Sequence, residues 1–266
     1  MTAPIDSDCD PARDPVIVEH LRSGFGTHIV HDDVSFAVKP GEIFVILGGS
    51  GSGKSVLMRH LIGLQEPRAG RVLIDGVDIH HTHGDARTMV LRKIGVMFQL
   101  GALFGSMSLL ENVRLPLETH THLPPEAIRL IARMKLAMVG LSDFEDYKPA
   151  QISGGMIKRA AIARAMALDP RIVFLDEPSA GLDPITSAGL DRLILSLRDS
   201  LGMTFIVVTH ELESILSIAD RAIMLDKESK GIIATGKPEA LRAHSDNPRV
   251  RQFFNREADE EGMNSK

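Results

Sequence analysis

Five apolar residues, Ile43-Phe-Val-Ile-Leu47, run without a break into a loop of glycines and serines. The loop reads Gly48, Gly49, Ser50, Gly51, Ser52, Gly53, Lys54, Ser55; a helical pattern follows over Ser55–Leu64, and Val56 is counted with the loop as a candidate phosphate-site residue. Strand, glycine loop and helix in that order leave few folds open, because the loop matches the phosphate-cradling pattern G-x-x-x-x-G-K-[ST]. Glycines let successive backbone N–H groups turn inward around an anion, and the helix aims its positive end at the same point. Lys54 reaches the outer phosphates of a nucleotide, and the Ser55 hydroxyl supplies one Mg2+ position. An apolar strand of this kind is buried on both faces, which points to an α/β protein with a mostly parallel core sheet.

Bulk properties set the surroundings. At 266 residues the chain has room for one large α/β domain, alone or with a smaller lobe. A formal net charge of -5 and scattered basic residues give no footprint for nucleic acid, which is not expected as a partner. The single cysteine, Cys9, forms no intrachain disulfide, in keeping with a reducing compartment. The start, Met1-Thr-Ala-Pro-Ile-Asp, lacks a basic flank and an apolar stretch, and no apolar run approaches the ~20 residues of a membrane span. The expectation is a cytoplasmic chain that another chain tethers if it works at a membrane.

Residues 1–14 are acidic and contain proline, and are expected to be disordered; 15–245 form the main domain and 246–266 a C-terminal tail whose end, from Asn255, frays. Strands are expected at Val16–His20, Val34–Val38, Ile43–Leu47, Arg71–Asp75, Ile94–Met97, Ile172–Leu175, Thr204–Val208, Arg221–Leu225 and Gly231–Ala234. Between them, about 100–168, the composition shifts to Ala, Met, Leu and Arg: one helical pattern runs from Pro124-Pro125 to Gly140 and another over Gly155–Leu168. This reads as a helical lobe inserted into a sheet.

A second chemical element sits at the end of Ile172-Val-Phe-Leu-Asp176-Glu177. Four apolar residues carry Asp176 to the strand end, where it can hold Mg2+ through water, and Glu177 follows as a general base for an attacking water. Kinases, GTPases and helicases share these two elements. Ile152-Ser153-Gly154-Gly155-Met156, opening a helix with Asp176 falling 21 residues after Gly155, narrows the choice.

That pentapeptide resembles the signature motif of the ABC ATPases, and the similarity runs over about residues 16–240. The fold it implies is a P-loop NTPase of ABC type: a mostly parallel core sheet, an antiparallel β portion and an inserted helical subdomain. It implies ATP and Mg2+ as cofactors and a second copy of the chain as partner, with Ser153, Gly154 and Gly155 meeting the γ-phosphate held by the opposite subunit. Ser153 is also, in plain physical terms, a helix N-cap. Gln99 matches the Q-loop and is a further cation ligand, Ser179-Ala-Gly-Leu-Asp183 matches the D-loop, and His210 matches the switch histidine beside the nucleotide. Phe25 stands where the family stacks an aromatic on adenine, although Phe25 as a core residue reads equally well. Ile152 and Met156 depart from the usual Leu and Gln; neither touches Ser153 or the glycines, and hydrolysis is expected to survive both.

The stretch Phe98–Val113, with Met156 and Asn247–Phe253, resembles the ATPases of Mla-like phospholipid transporters. That resemblance implies an integral membrane permease, a mammalian-cell-entry-type substrate-binding protein and a place at the cytoplasmic face of the inner membrane. Leu103, Phe104, Met107 and Leu109 offer apolar contacts to a permease helix, or else fill the lobe's own core; Gly101 and Gly105 suit a hinge. An ABC transporter of another cargo (amino acid, metal chelate or efflux substrate) stays open. A soluble ABC protein of DNA repair or the ribosome lacks its coiled coil or second cassette here, and a small-molecule kinase would not carry the signature and His210. The groups His80-His81-Thr-His83 and His120-Thr-His122 read as solvated loops and His60 as structural.

Overall fold

The computed structural model describes residues 14–256. The expected leader, apart from Asp14, and residues 257–266 lie outside that range. In chain order the elements are β1 (Val16–Phe25), β2 (His28–Val38), β3 (Ile43–Gly48), α1 (Lys54–Leu61), β4 (Ala69–Ile74), β5 (Val77–Asp78), α2 (Gly84–Leu91) and β6 (Ile94–Met97). The lobe follows with α3 (Leu109–His120), α4 (Pro125–Met138) and α5 (Gly154–Ala165). The chain then returns to the sheet through β7 (Ile172–Asp176), α6 (Pro184–Leu201), β8 (Thr204–Val208), α7 (Leu212–Ile218), β9 (Arg221–Asp226) and β10 (Gly231–Gly236). Helices α8 (Pro238–His244) and α9 (Pro248–Asn255) close it.

Two sheets result. Strands β2-β1-β4-β5 form an antiparallel sheet, and β10-β9-β3-β8-β7-β6 form a second in which all pairs are parallel except β10 with β9. The α/β reading and the antiparallel portion implied by the family resemblance both hold. All six residues of β3 are buried. Its alternate side chains enter two cores: Ile43, Val45 and Leu47 pack with the lobe helices, while Phe44 and Ile46 pack with α1 and the antiparallel sheet. The strand needs apolar residues on both faces for that reason. Helix α1 is held between the sheets by Leu57, Met58 and Leu61, so the glycine loop at its start is fixed from both sides.

Helix ends explain where the expected boundaries moved. Helix α1 stops at Leu61 rather than Leu64, because Gly63 takes a φ of 72° and turns the chain. Helix α5 stops at Ala165 rather than Leu168; Asp169 takes a φ of 51° and Pro170 follows, which together break the helical path. Ser108 and Glu111 form a complete capping box on α3. The segment expected to be a tail from 246 contains α9, whose Val250 and Phe254 are buried in the main core. Each contributes roughly 1.5–3 kcal/mol through burial, which removes this helix from any unpacked tail. Its signal in the sequence was short and charged, so only the packing reveals it. No helix among the described residues is long and apolar enough to cross a membrane.

Candidate active site

The glycine loop begins where β3 ends, and Gly53 caps α1 with a φ of 92°, a value that L side chains rarely adopt. A Cβ on Gly53 would also come within 2.4 Å of the His31 Nε2 atom. His31 is fully buried on β2, its Nδ1 2.7 Å from the Ser23 hydroxyl oxygen. Burial, reinforced by nearby His60, lowers its pKa to about 4, so a neutral ring supports the loop from below. Lys54 folds across the top: its Nζ donates to the carbonyls of Gly48 (2.7 Å) and Gly49 (3.1 Å). Burial depresses the lysine's pKa, while the carboxylates of Glu177 and Asp176 oppose that shift. Gly49, Ser50, Gly51 and Ser55 are exposed along the rim, Val56 is half-buried, and the buried Ser52 hydroxyl has no hydrogen-bond partner.

Asp176 and Glu177 meet this loop from the end of β7. Burial, then the neighbouring Glu177, pushes the Asp176 carboxyl pKa up, and Arg59, Lys54 and Lys158 pull it down. Glu177 adopts a φ of 47° and its N–H donates to the Val208 carbonyl at 2.8 Å. This turns its side chain to His210, whose Nδ1 lies 2.8 Å from Oε1. Asp176 Oδ1 and Glu177 Oε2 are buried without partners. Buried unpaired oxygens of this kind are costly unless a ligand meets them. Hard oxygen donors from Asp176 and Ser55 suit Mg2+, and the loop with Lys54 suits the phosphates of ATP, so the residues present fit both groups.

Helix α5 begins at Ser153, whose hydroxyl accepts from the Met156 N–H at 3.3 Å. Ser153 and Gly154 are exposed, whereas Gly155 is buried with Thr186 beside it; a Cβ there would lie 2.4 Å from Thr186 Cγ2. The two signature glycines therefore have different physical reasons. Gly154 leaves room for an approaching group, and Gly155 lets α5 touch α6.

The Gln99 side chain is exposed, and the main chain after it is held from α5 by Lys158 and Arg164. Neither cation was singled out for this role by the sequence, because both bond to carbonyls that carry no side-chain signature. Asn112 was missed as well. Fully buried, it donates to the carbonyls of Phe104, Met107 and Ser108 and accepts from the Phe104 N–H at 2.8 Å. That clamp shapes the segment expected to face a permease. Leu109 lies in the core and is corrected out of the docking set, and Leu103 packs partly against that core. Leu100 (87% exposed) and Phe104 (50%) point outward, and Met107 is half-buried. Phe25, 52% exposed near the end of β1, is not the core residue that the sequence left as an alternative. His80 is also corrected: it is half-buried, with its Nε2 2.9 Å from the His60 carbonyl oxygen. His81, His83, His120 and His122 are exposed.

Residues 31–180 match the family model described as ABC transporter. The chain belongs to the ABC transporter family. Its cassette is 41% identical over 242 residues to the intermembrane phospholipid transport system ATP-binding protein MlaF of Haemophilus influenzae, covering 91% of this chain and 90% of that one. It is 42% identical over 238 residues to the probable ribonucleotide transport ATP-binding protein mkl of Mycobacterium tuberculosis, covering 90% of this chain. The chain spans 66% of the length of that mycobacterial relative. Among solved structures, the dimeric post-hydrolysis state of the ATP-binding cassette MJ0796 bound to ADP and Pi superposes with a TM-score of 0.75 at 33% identity. That match covers 84% of this chain and 98% of the other.

Proposed function

We propose that this ABC chain is the ATP-hydrolysing subunit of a transporter that moves phospholipid at a bacterial inner membrane. The observation that carries the cargo is the 41% identity to MlaF across 90% of that relative's length. The reading places the chain at the cytoplasmic face, held there by an integral membrane permease and working with a mammalian-cell-entry-type protein. Two copies close around ATP, each site taking Lys54 from one copy and Ser153, Gly154 and Gly155 from the other. Ser55, Gln99 and Asp176 would hold Mg2+, which would supply positive charge to offset the charge on the outer phosphates. Lys54 steadies the phosphates. Glu177 takes the proton of the attacking water at Oε2, while His210 fixes Oε1 and so the carboxylate plane. Phe25 offers an open aromatic face to adenine.

The test is reconstitution. The chain, its permease and the mammalian-cell-entry-type protein are placed in liposomes with labelled phospholipid, and transfer is followed with and without ATP. The expected result is ATP-dependent lipid transfer that Glu177→Gln abolishes. ATP-driven uptake of a ribonucleotide with no lipid movement would replace the cargo and keep the ATPase, as the mycobacterial relative's name suggests for that protein.

A further inference from the structure

One buried ammonium connects three parts of the hydrolytic site. Lys158, in the second turn of α5, donates from Nζ to the Gln99 carbonyl and, at 3.2 Å, to the Glu177 carbonyl. Nearby on the same helix, Arg164 donates to the carbonyls of Gly101 (3.0 Å) and Ala102 (2.6 Å). Three carbonyls in the five residues after β6 thus hang on two cations of the signature helix. Neither cation is hydrogen-bonded to a carboxylate, and burial depresses the pKa of both, although Glu177, Asp176 and Glu211 act in the opposite sense on Lys158. Placing ammonium and guanidinium groups out of water costs several kcal/mol unless charge-assisted bonds offset it, so these contacts are not a solvated face.

Glu177 needs such support. Its φ of 47° is uncommon for a residue with a side chain, and conformations of this kind persist only when neighbours over-determine them. Val208 holds its N–H from β8, and Lys158 holds its carbonyl from the lobe.

We infer that Lys158 is a positioning residue for ATP hydrolysis, pinning the backbone of Glu177 to the Gln99 loop and the signature helix. The base then stands in line only while lobe and core sheet keep this register. The inference rests on the ATPase reading and is independent of the cargo.

The experiment compares Lys158→Met, which keeps the stem and loses the donors, with Lys158→Arg, which keeps donors. In the assembled transporter the methionine variant should lose roughly 10- to 100-fold in kcat, as small misplacements of catalytic groups do, with the KM for ATP within about 3-fold. Arginine should recover most of that loss. In a Glu177→Gln background, Lys158→Met should change the residual rate little, because the group it aligns is gone. Hydrogen exchange on the full chain without nucleotide reads the pinning apart from turnover: amides at 99–102 and 177–179 should exchange faster in the methionine variant, with the rest of the core unchanged. Wild-type exchange and wild-type kcat in Lys158→Met would overturn the inference, and so would faster exchange throughout the core with kcat and KM altered together. An arginine variant with restored exchange but methionine-like kcat would overturn it too. A wild-type complex that hydrolyses no ATP would sink the ATPase reading instead, while the exchange comparison would still decide the pinning.

Discussion

His210 Nδ1 lies 2.8 Å from Glu177 Oε1, while Glu177 Oε2 is buried with no partner at all. The two carboxylate oxygens are therefore unequal: one is fixed by a ring and the other is left without a protein partner. The histidine side chain is 61% exposed and that of the glutamate 12%, so the pair runs from an open face to the buried end of β7.

Glu177→Gln keeps the shape of the side chain and removes its capacity to take a proton. Turnover of the assembled complex should fall ~10²–10⁴-fold, and ATP should trap a closed dimer visible by size-exclusion chromatography. Near wild-type turnover would remove Glu177 from the role of base.

His210→Ala releases Oε1 without touching the glycine loop. Hydrolysis should fall at least about 10-fold while ATP affinity, read by titration, stays within about 3-fold. Equal losses of both, or recovery on adding zinc, would count against a role in holding the Glu177 carboxylate.

Gly155→Ala should destabilise by about 1–3 kcal/mol, because its methyl group meets Thr186 Cγ2 where α5 touches α6. Thr186→Ser removes that methyl and keeps the hydroxyl, which bonds Asp183 Oδ2 at 2.5 Å. The double variant should regain most of the lost thermal stability; if it does not, the helix contact is not the reason for glycine.

His31 gives a pH signature. Its folded pKa of about 4 lies below the unfolded 6.5, so below 6.5 the unfolded chain takes a proton that the folded chain refuses. Its contribution is fully present above 6.5 and is lost as pH falls toward 4, up to about 3 kcal/mol at 1.36 kcal/mol per unit. Denaturant melts at pH 7.5 and 4.5 should show a smaller loss for His31→Gln than for the wild type. Some loss should persist, since burial also depresses the pKa of His60 and His80. An identical loss in both proteins would mean that His31 does not titrate with folding.

Phe104→Asp combined with Met107→Asp should abolish co-purification with the permease and leave ATP affinity unchanged. Phe104 is half-exposed and Asn112 holds its backbone, so the fold should tolerate the change. A variant that still assembles would return these side chains to ordinary surface.

The phosphate loop, the Asp176-Glu177 pair and most strands were legible because each depends on residue types at fixed spacing. Residues 43–47 could hardly be anything but a doubly buried strand once the glycine loop follows them. What stayed hidden depends on partners distant in sequence. Lys158 and Arg164 read as ordinary helix cations until their carbonyl acceptors are in place. The packing reason for Gly155 shows only once Thr186 is beside it, and Val250 and Phe254 read as tail until the core reaches them. Leu109 and Phe104 sit in one segment of scattered apolar residues, and only the fold sends one inward and the other out.

Holding a loop by its carbonyls has an evolutionary corollary. Every residue type brings the same carbonyl, so the bonds to Lys158 and Arg164 do not depend on the side chains mounted on 99–102, although Gly101, at a φ of 76°, keeps its own requirement for glycine. Leu100, the most exposed large apolar residue described, can be exchanged without the clamp from Lys158 and Arg164 losing an acceptor. A lineage could thus refit the outward surface of this loop to a new neighbour by point substitution, with the hydrolytic machinery inherited unaltered.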